Sequence, residues 1–125
     1  MKFVIEGRLD GLNTYTGACR ANRYGANAMK RKNEAKVIEG IKRADLKKVE
    51  GYPLDLHIVW YEPNKRRDID NITFATKFIQ DALVKAGILE DDSQKYIVGV
   101  FHRVLVDRKN PRIEVELRTA EAKIL

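Results

Sequence analysis

The chain is poor in several residue types, and each shortage disfavours a class of protein. Its single cysteine, Cys19, cannot form an internal disulfide and has no recognisable base partner for a catalytic thiol. Its two histidines, His57 and His102, have no second histidine or cysteine nearby at zinc-ligand spacing. No apolar run approaches the roughly 20 residues that cross a bilayer. A disulfide scaffold, a thiol enzyme, a zinc protein and a membrane protein are therefore not expected.

The charge balance, by contrast, indicates a polyanionic partner. The 125 residues carry 24 Lys and Arg against 18 Asp and Glu, which gives a formal net charge of +6. This positive charge favours a polyanion such as nucleic acid over other acidic or neutral partners. The alternative is a protein whose positive charge serves only its solubility. The length suits one domain, residues 1–125, and residues 1–7 lack the apolar core of a signal peptide. We therefore expect a single-domain cytoplasmic protein.

Hydrophobic patterning predicts an α+β fold, in the order β-α-β-α-β-β, with helices packed against a mixed sheet. Residues 3–9 form the predicted first strand, and residues 10–28, which lack clear periodicity, are predicted to be a loop. The other predicted elements are a helix at 30–48, a strand at 54–61, a helix between residues 70 and 87, strands at 96–106 and 112–118, and a short tail at 119–125. The turn at residues 107–111 would join the last two strands as an antiparallel pair.

Acidic side chains crowd the region between Arg66 and Gln94. Asp68 and Asp70 precede the second predicted helix, and Glu90-Asp91-Asp92 follows it. At about 4 Å and an effective dielectric near 20, two like charges repel by on the order of 4 kcal/mol. A fold that brings such carboxylates together usually needs a cation between them, and hard cations prefer oxygen ligands. The sequence therefore predicts a divalent-metal site.

Local geometry cannot bring the two acidic groups together, because a helix of roughly 16 residues spans about 24 Å. One solution is that the segment at residues 90–95 folds back along the helix or the sheet of the same chain. The other is that the two groups come from different chains of a dimer. The sequence leaves both solutions open.

Three short motifs follow one another in this region: RDIDN at residues 67–71, KFIQDAL at residues 77–83 and GILEDDSQ at residues 87–94. Together they resemble the RusA family of Holliday junction resolvases. In that family an Asp-x-Asp-Asn motif and a later Asp-Asp-x-Gln motif supply the acids that bind magnesium, and a lysine on the intervening helix is required for cleavage. The resemblance implies a RusA-like fold and the same chemistry.

By motif position, the resemblance assigns Asp68, Asp70 and Asp92 as catalytic acids and Mg²⁺ ligands, with Asp91 as a substitute acid. Mn²⁺ is the expected replacement for Mg²⁺. Carboxylate-held Mg²⁺ makes a water nucleophilic near neutral pH and stabilises the leaving oxygen of a phosphodiester. The alternatives are helix capping by Asp68, Asp70 and Asn71, and a solvated turn at Asp91 and Asp92.

The same resemblance assigns Lys77 as the catalytic lysine, which would stabilise charge in the transition state or orient the water. Lys77 stands three residues further from Asn71 than the lysine of the family does, and Phe74 occupies the shorter spacing. The extra residues amount to nearly one helical turn, so Lys77 could still face the acids. An ordinary ion pair with Asp81 is the alternative role.

Basic residues beside the acids are predicted DNA contacts. Lys65, Arg66 and Arg67 adjoin the first acidic pair and would hold the phosphate backbone. Arg20 and Arg23 belong to a basic segment with interleaved tyrosines, which is a second predicted contact region. A solvated surface loop is the alternative for both regions.

We therefore predict a magnesium-dependent endodeoxyribonuclease that resolves four-way DNA junctions in recombination and repair. The resemblance implies paired nicks in strands of like polarity. Two symmetry-related cuts need two active sites, so a two-fold homodimer is expected. The resemblance also favours a bacterial or phage-encoded protein. The alternatives are a module that binds branched DNA without cutting it, which the altered lysine spacing favours, and a nuclease acting on flaps or forks.

Overall fold

The computed structural model describes residues 1–120, except for the side chain of Arg23. The predicted α+β class, with helices against a mixed sheet, is confirmed. The elements in chain order are β1 (Lys2–Glu6), α1 (Leu12–Ala21), α2 (Arg23–Arg43), β2 (Leu54–Glu62), α3 (Ile69–Thr73), α4 (Thr76–Lys85), β3 (Ile97–Val106) and β4 (Arg112–Thr119). Residues 121–125 of the predicted tail lie outside the described residues.

The sheet has the strand order β1-β4-β2-β3. Strand β2 pairs antiparallel with β4 and parallel with β3. Burial alternates along the whole of β2, because one face of the strand packs against the helices and the other does not. The buried apolar side chains of the four strands are Phe3, Ile5, Leu54, Leu56, Ile58, Trp60, Ile97, Ile113, Val115 and Leu117.

Helices α2 and α4 contact each other, and α2 also contacts β1. Phe78, Ile79, Ala82 and Leu83 of α4 are fully buried. A Cβ atom at residue 40 would lie 2.3 Å from the carbonyl oxygen of Val4, so α2 packs this close to β1 only because residue 40 is glycine.

The predicted loop at residues 10–28 was wrong, because this segment forms α1 and the first residues of α2. Asn22 separates the two helices, and its Oδ1 accepts a hydrogen bond of 2.6 Å from the Gly25 amide. The helix predicted at residues 30–48 instead spans Arg23–Arg43. It ends early because Asp45 adopts a left-handed conformation with φ of 50°.

The second predicted helix is broken into α3 and α4 at Phe74 and Ala75. The amide of Lys77 donates to the Phe74 carbonyl, and that of Phe78 donates to the Ala75 carbonyl, so the junction is tightened to three-residue spacing. Gly87, with φ of 76°, follows the end of α4 as predicted.

The last two strands run antiparallel but are not neighbours, because β2 lies between them. The turn at residues 107–111 therefore crosses over the end of β2 rather than closing a hairpin. Strand β3 consequently forms one edge of the sheet, and no strand within residues 1–120 pairs with its outer side. Within the same residues, no helix is both long and apolar enough to cross a membrane.

Candidate active site

The predicted acids lie on the connection between two parallel neighbouring strands. This connection leaves the sheet after Glu62 and reaches Asp68 and Asp70 at the start of α3. It returns through Asp92 to β3, whose first residue pairs with the first residue of β2. Nine residues of strand span about 30 Å, so the connection leaves and re-enters the sheet at opposite ends.

The first acidic pair, Asp68 and Asp70, is exposed at the amino terminus of α3. Asp68 has the extended backbone of a capping residue, with φ of −70° and ψ of 156°, but its side chain makes no capping hydrogen bond. Capping by Asp68 is therefore wrong. Neither carboxylate has an ion pair among the described residues. Both carboxylates thus remain available to an external cation.

Asn71, the last residue of the same motif, ties α3 to α1. Its side-chain Oδ1 accepts a hydrogen bond of 3.0 Å from the amide of Asn13, in the first turn of α1. Gly11 makes this approach feasible, because a Cβ there would lie 2.6 Å from the same oxygen. Asn71 thus caps a helix that has no side-chain cap of its own.

Arg67 is turned towards the protein rather than towards solvent. Its Nε and Nη2 donate to the two carboxylate oxygens of Glu62 at 2.9 and 2.8 Å, and its Nη1 donates to the Leu9 carbonyl at 3.2 Å. Arg8 adds a third bond to Glu62 at 2.9 Å. Burial acts to raise the pKa of Glu62, which is only 3% exposed, but the hydrogen bonds from Arg67 and Arg8 lower it overall. This cluster fixes the turn that leads into α3.

The other predicted DNA contacts differ from Arg67 in their exposure and in their ion pairs. Lys65, Arg66 and Arg20 are exposed, and no ion pair involves them among the described residues. The side chain of Arg23 lies outside the described residues. The predicted role in DNA contact stays a prediction for all five residues. Arg67 would have to break its bonds to Glu62 to take part.

The second acidic pair, Asp81 and Asp92, brings α4 next to the segment before β3. Partial burial of Asp92, followed by repulsion from Asp81 and Asp91, raises the pKa of Asp92 above its usual value. The Nζ atom of Lys30 in α2 lies 3.4 Å from Asp81 Oδ2. The alternative pairing of Asp81 with Lys77 is therefore wrong, and Lys77 is exposed on α4.

The buried Glu34 is linked to the second acidic pair through Lys30. Its carboxylate is almost fully buried, accepts a hydrogen bond from Lys85 Nζ and lies 3.9 Å from Lys30 Nζ. Lys30 is thus shared between Glu34 and Asp81. Among the residues that the structure describes, the Oε1 atom of Glu34 has no hydrogen-bond partner. These contacts join α2 to α4, so no local pattern along the chain indicates them.

The structure therefore presents the acids as two separate pairs. Within residues 1–120, no three Asp, Glu, His or Cys side chains form a group that could hold a metal ion. Mg²⁺ usually keeps several waters and takes one or two carboxylates together with substrate phosphate. Asp68 and Asp70 fit that requirement by number and chemistry. Asp92, the third predicted ligand, does not join them within the described protomer.

Exposed carboxylates are suitable ligands for a hard divalent cation, and the neighbouring basic side chains suit contact with phosphate. The family model for endodeoxyribonuclease RusA matches residues 24–118, and the chain belongs to this family. The matched range contains both acidic pairs. Comparison with curated proteins found no match. Family membership indicates an endodeoxyribonuclease that acts on branched DNA, as the motifs predicted.

Proposed function

We propose that this protein is a magnesium-dependent endodeoxyribonuclease that resolves Holliday junctions by paired, symmetric nicks in recombination and repair. The observation that carries the proposal is the exposed pair Asp68 and Asp70, which lacks a cationic partner among the described residues. Bare carboxylates repel DNA phosphates, so this surface suits DNA only when a cation is held there. The net charge of +6 supplies the attraction for the rest of the duplex.

Each residue has a separate task in the proposed reaction. Asp68 and Asp70 hold the ion, and Asp92, or Asp91 in its place, completes the ligand set. An Mg²⁺ ion held by these carboxylates, or Mn²⁺ in its place, would supply a water of lowered pKa and a positive charge beside the leaving oxygen. Lys77 stabilises the negative charge that develops on the transferred phosphoryl group.

The basic residues position the substrate in this proposal. Lys65 and Arg66 bind the phosphates on either side of the scissile bond, and Arg20 extends the contact along the backbone. Arg67 holds the turn before α3 in place through Glu62. Two such sites in a two-fold homodimer make symmetric cuts in the two strands of like polarity. The proposed location is the cytoplasm of a bacterium, with the protein encoded by the bacterium or by a phage.

The test is cleavage of a labelled synthetic four-way junction, with Mg²⁺ and with a chelator. Symmetric nicks that need the metal are expected from the wild-type protein. Asp70→Asn should abolish cutting and leave junction binding intact or tighter, because it removes a charge that repels phosphate. Asp45→Asn is the matched control, because Asp45 is an exposed acid whose one ion pair within the described part of the chain is with Lys47.

Retained cleavage by Asp70→Asn would refute the role of that carboxylate. Tight binding by the wild-type protein without any product would instead support the non-cleaving module, for which the displaced Lys77 is the specific observation. Faster cutting of flaps or forks than of the four-way junction would support the third hypothesis. Equal activity in metal and in chelator would exclude the proposed chemistry altogether.

A further inference from the structure

Lys30 in α2 stands between two carboxylates from different helices. Its Nζ atom lies 3.4 Å from Asp81 Oδ2 in α4 and 3.9 Å from Glu34 Oε1 in its own helix. Both distances exceed the roughly 2.7–2.9 Å of a direct hydrogen bond from an ammonium group to a carboxylate. Lys30 is therefore shared between the two acids and is held tightly by neither.

The carboxylate of Glu34 is buried, and only one of its two oxygens is satisfied. The residue is 3% exposed, and its Oε2 accepts a hydrogen bond from Lys85 Nζ. Its Oε1 has no hydrogen-bond partner in the described part of the chain. An unpaired polar atom in the interior costs roughly 1–3 kcal/mol, and more when the group is charged. Movement of the Lys30 ammonium onto Oε1 would remove this cost.

Asp81 has an acidic neighbour on its other side. Its side chain lies within hydrogen-bonding reach of Asp92, and burial, followed by repulsion from Asp81, raises the pKa of Asp92. The side chain of Asp81 is 22% exposed, and Asp92 is partly exposed, so a hydrated ion can reach both. Two carboxylates this close attract a cation, and the ammonium of Lys30 now supplies that charge.

We propose that Asp81 and Asp92 form a divalent-cation site and that Lys30 is its resident counter-charge, which moves onto Glu34 Oε1 when the metal binds. The ligand class is a hard divalent cation that keeps most of its waters, as Mg²⁺ does on one or two carboxylates. The proposal rests on the proposed function for the identity of the metal, and it adds Asp81 to the residues that would hold it.

The exchange of partners requires only a small movement of Lys30. Asp81 Oδ2 and Glu34 Oε1 are both within ion-pair distance of the same Nζ atom, so a change in the terminal torsions of the side chain is enough. The side chain of Lys30 is 35% exposed, so packing does not lock its end. A divalent ion beside Asp81 repels the ammonium, and the unpaired oxygen of Glu34 attracts it.

A permanent ion-pair network that only joins α2 to α4 is the alternative. A lysine four residues before a glutamate is the weaker orientation of an intrahelical pair, and a separation of 3.9 Å weakens it further. A permanent network also gives no reason for a buried carboxylate oxygen to stay unpaired among the described side chains. Both features favour an exchange of partners.

Mn²⁺ binding without DNA tests the site, because this paramagnetic ion broadens the amide NMR signals of nearby residues. The protein is Asp68→Asn/Asp70→Asn, which lacks the first acidic pair. Mn²⁺ should broaden the signals of Asp81 and Asp92 first, and adding Asp81→Asn should weaken binding at least about tenfold, because ligand charge sets the affinity. Glu90→Gln is the matched control, since it removes an exposed acid of the same segment. Equal binding by the Asp81→Asn and Glu90→Gln proteins would overturn the site.

Removal of the ammonium tests the role of Lys30. In the same protein, Lys30→Met should tighten Mn²⁺ binding about tenfold, because no cation then has to leave, and Met and Lys have similar helix propensities. Lys32→Met is the matched control. Lys32 is exposed on the same helix, about 200° round from Lys30, and its removal should change the affinity less than about twofold. Unchanged or weaker binding by Lys30→Met would overturn the counter-charge role.

Glu34→Gln tests the second position of the ammonium. Gln keeps the shape of Glu and an oxygen for Lys85, and the variant should weaken Mn²⁺ binding about fivefold, because Lys30 then has no free carboxylate to receive it. Combined with Lys30→Met, the same change should alter binding less than about twofold, since no ammonium has to move. Equal weakening in both backgrounds would mean that Glu34 acts only through its charge at a distance, and would overturn the exchange.

These measurements are independent of the nuclease assay. If Mn²⁺ binds at Asp81 and Asp92 but the wild-type protein leaves the four-way junction uncut, the proposed function fails and the site stands. If the junction is cut with Mg²⁺ but Mn²⁺ binding is indifferent to Asp81, the site fails and the proposed function stands.

Discussion

Arg66 and Arg67 are adjacent in sequence, but the structure predicts opposite effects for their removal. Arg67→Ala removes two of the three hydrogen bonds that Glu62 accepts from arginines. A hydrogen bond to a charged group contributes about 1.5–3 kcal/mol, and Arg8 still partners the buried carboxylate, so we expect the free energy of unfolding to fall by about 3 kcal/mol. Arg66→Ala should change it by less than about 0.5 kcal/mol, because the side chain is exposed.

Urea unfolding followed by fluorescence of the single tryptophan, Trp60, measures these changes, since that residue is almost fully buried. Junction binding at several salt concentrations measures the other half of the prediction. Arg66→Ala should lower the salt slope by about one unit, as the loss of one phosphate contact does. Arg67→Ala, measured where it is still folded, should leave that slope unchanged.

The reverse pattern would refute the assignment. If Arg67→Ala unfolds at the same urea concentration as the wild type and lowers the salt slope, then its guanidinium contacts DNA and not Glu62. The double variant Arg67→Ala/Glu62→Gln provides a second test. It should recover part of the lost stability, because Glu62→Gln removes the charge that Arg67 no longer balances. Further loss on adding Glu62→Gln would contradict the ion-pair explanation.

Three further outcomes are expected. The pKa of Glu62 is lowered in the folded state, so the unfolded state binds more protons in acid, and the free energy of unfolding should fall as pH drops below about 4.5. Urea titrations at several pH values measure this fall, and in Glu62→Gln the free energy of unfolding should depend less steeply on pH. Asn71→Ala should destabilise the protein by about 1 kcal/mol by removing the cap of α1, and amide exchange should quicken at Asn13. Asp81→Asn should lower the pKa of Asp92 only in part, because burial, the larger cause, remains, and NMR titration of the carboxyl carbon measures the change; an unchanged pKa would show that Asp81 makes no contribution.

The strands could be predicted because their physical signal is local. Strand β2 alternates apolar and polar residues along its length, and β4 does the same, so a sheet packed on one face was expected from the sequence. Helix α1 was missed because its sequence has few large apolar residues and contains Gly17, and none of its residues is fully buried. The order of strands in the sheet was not foreseen for a different reason. A turn sequence shows where the chain reverses and does not show which strand lies between.

The acidic residues could be predicted from the order of the motifs, but their partners could not. Asn71 and Asn13 are 58 positions apart, and Lys85 and Glu34 are 51 apart, so these contacts depend on how the helices pack. Arg67 appeared equivalent to Arg66 because both adjoin the acids. Its different role follows from the burial of Glu62, which only the folded chain shows. The assignment of the acids to metal and of Arg66 to DNA stays a prediction.

The aromatic contact of Phe74 has a consequence for how α1 and the first acidic pair are held. Its ring lies 5.2 Å from that of Tyr15 in α1 and 5.8 Å from that of Phe78. Phe74 directly follows α3, which carries Asp70, and Asn71 of the same helix caps α1. A change in the length of this junction would therefore move α1 and the first acidic pair together.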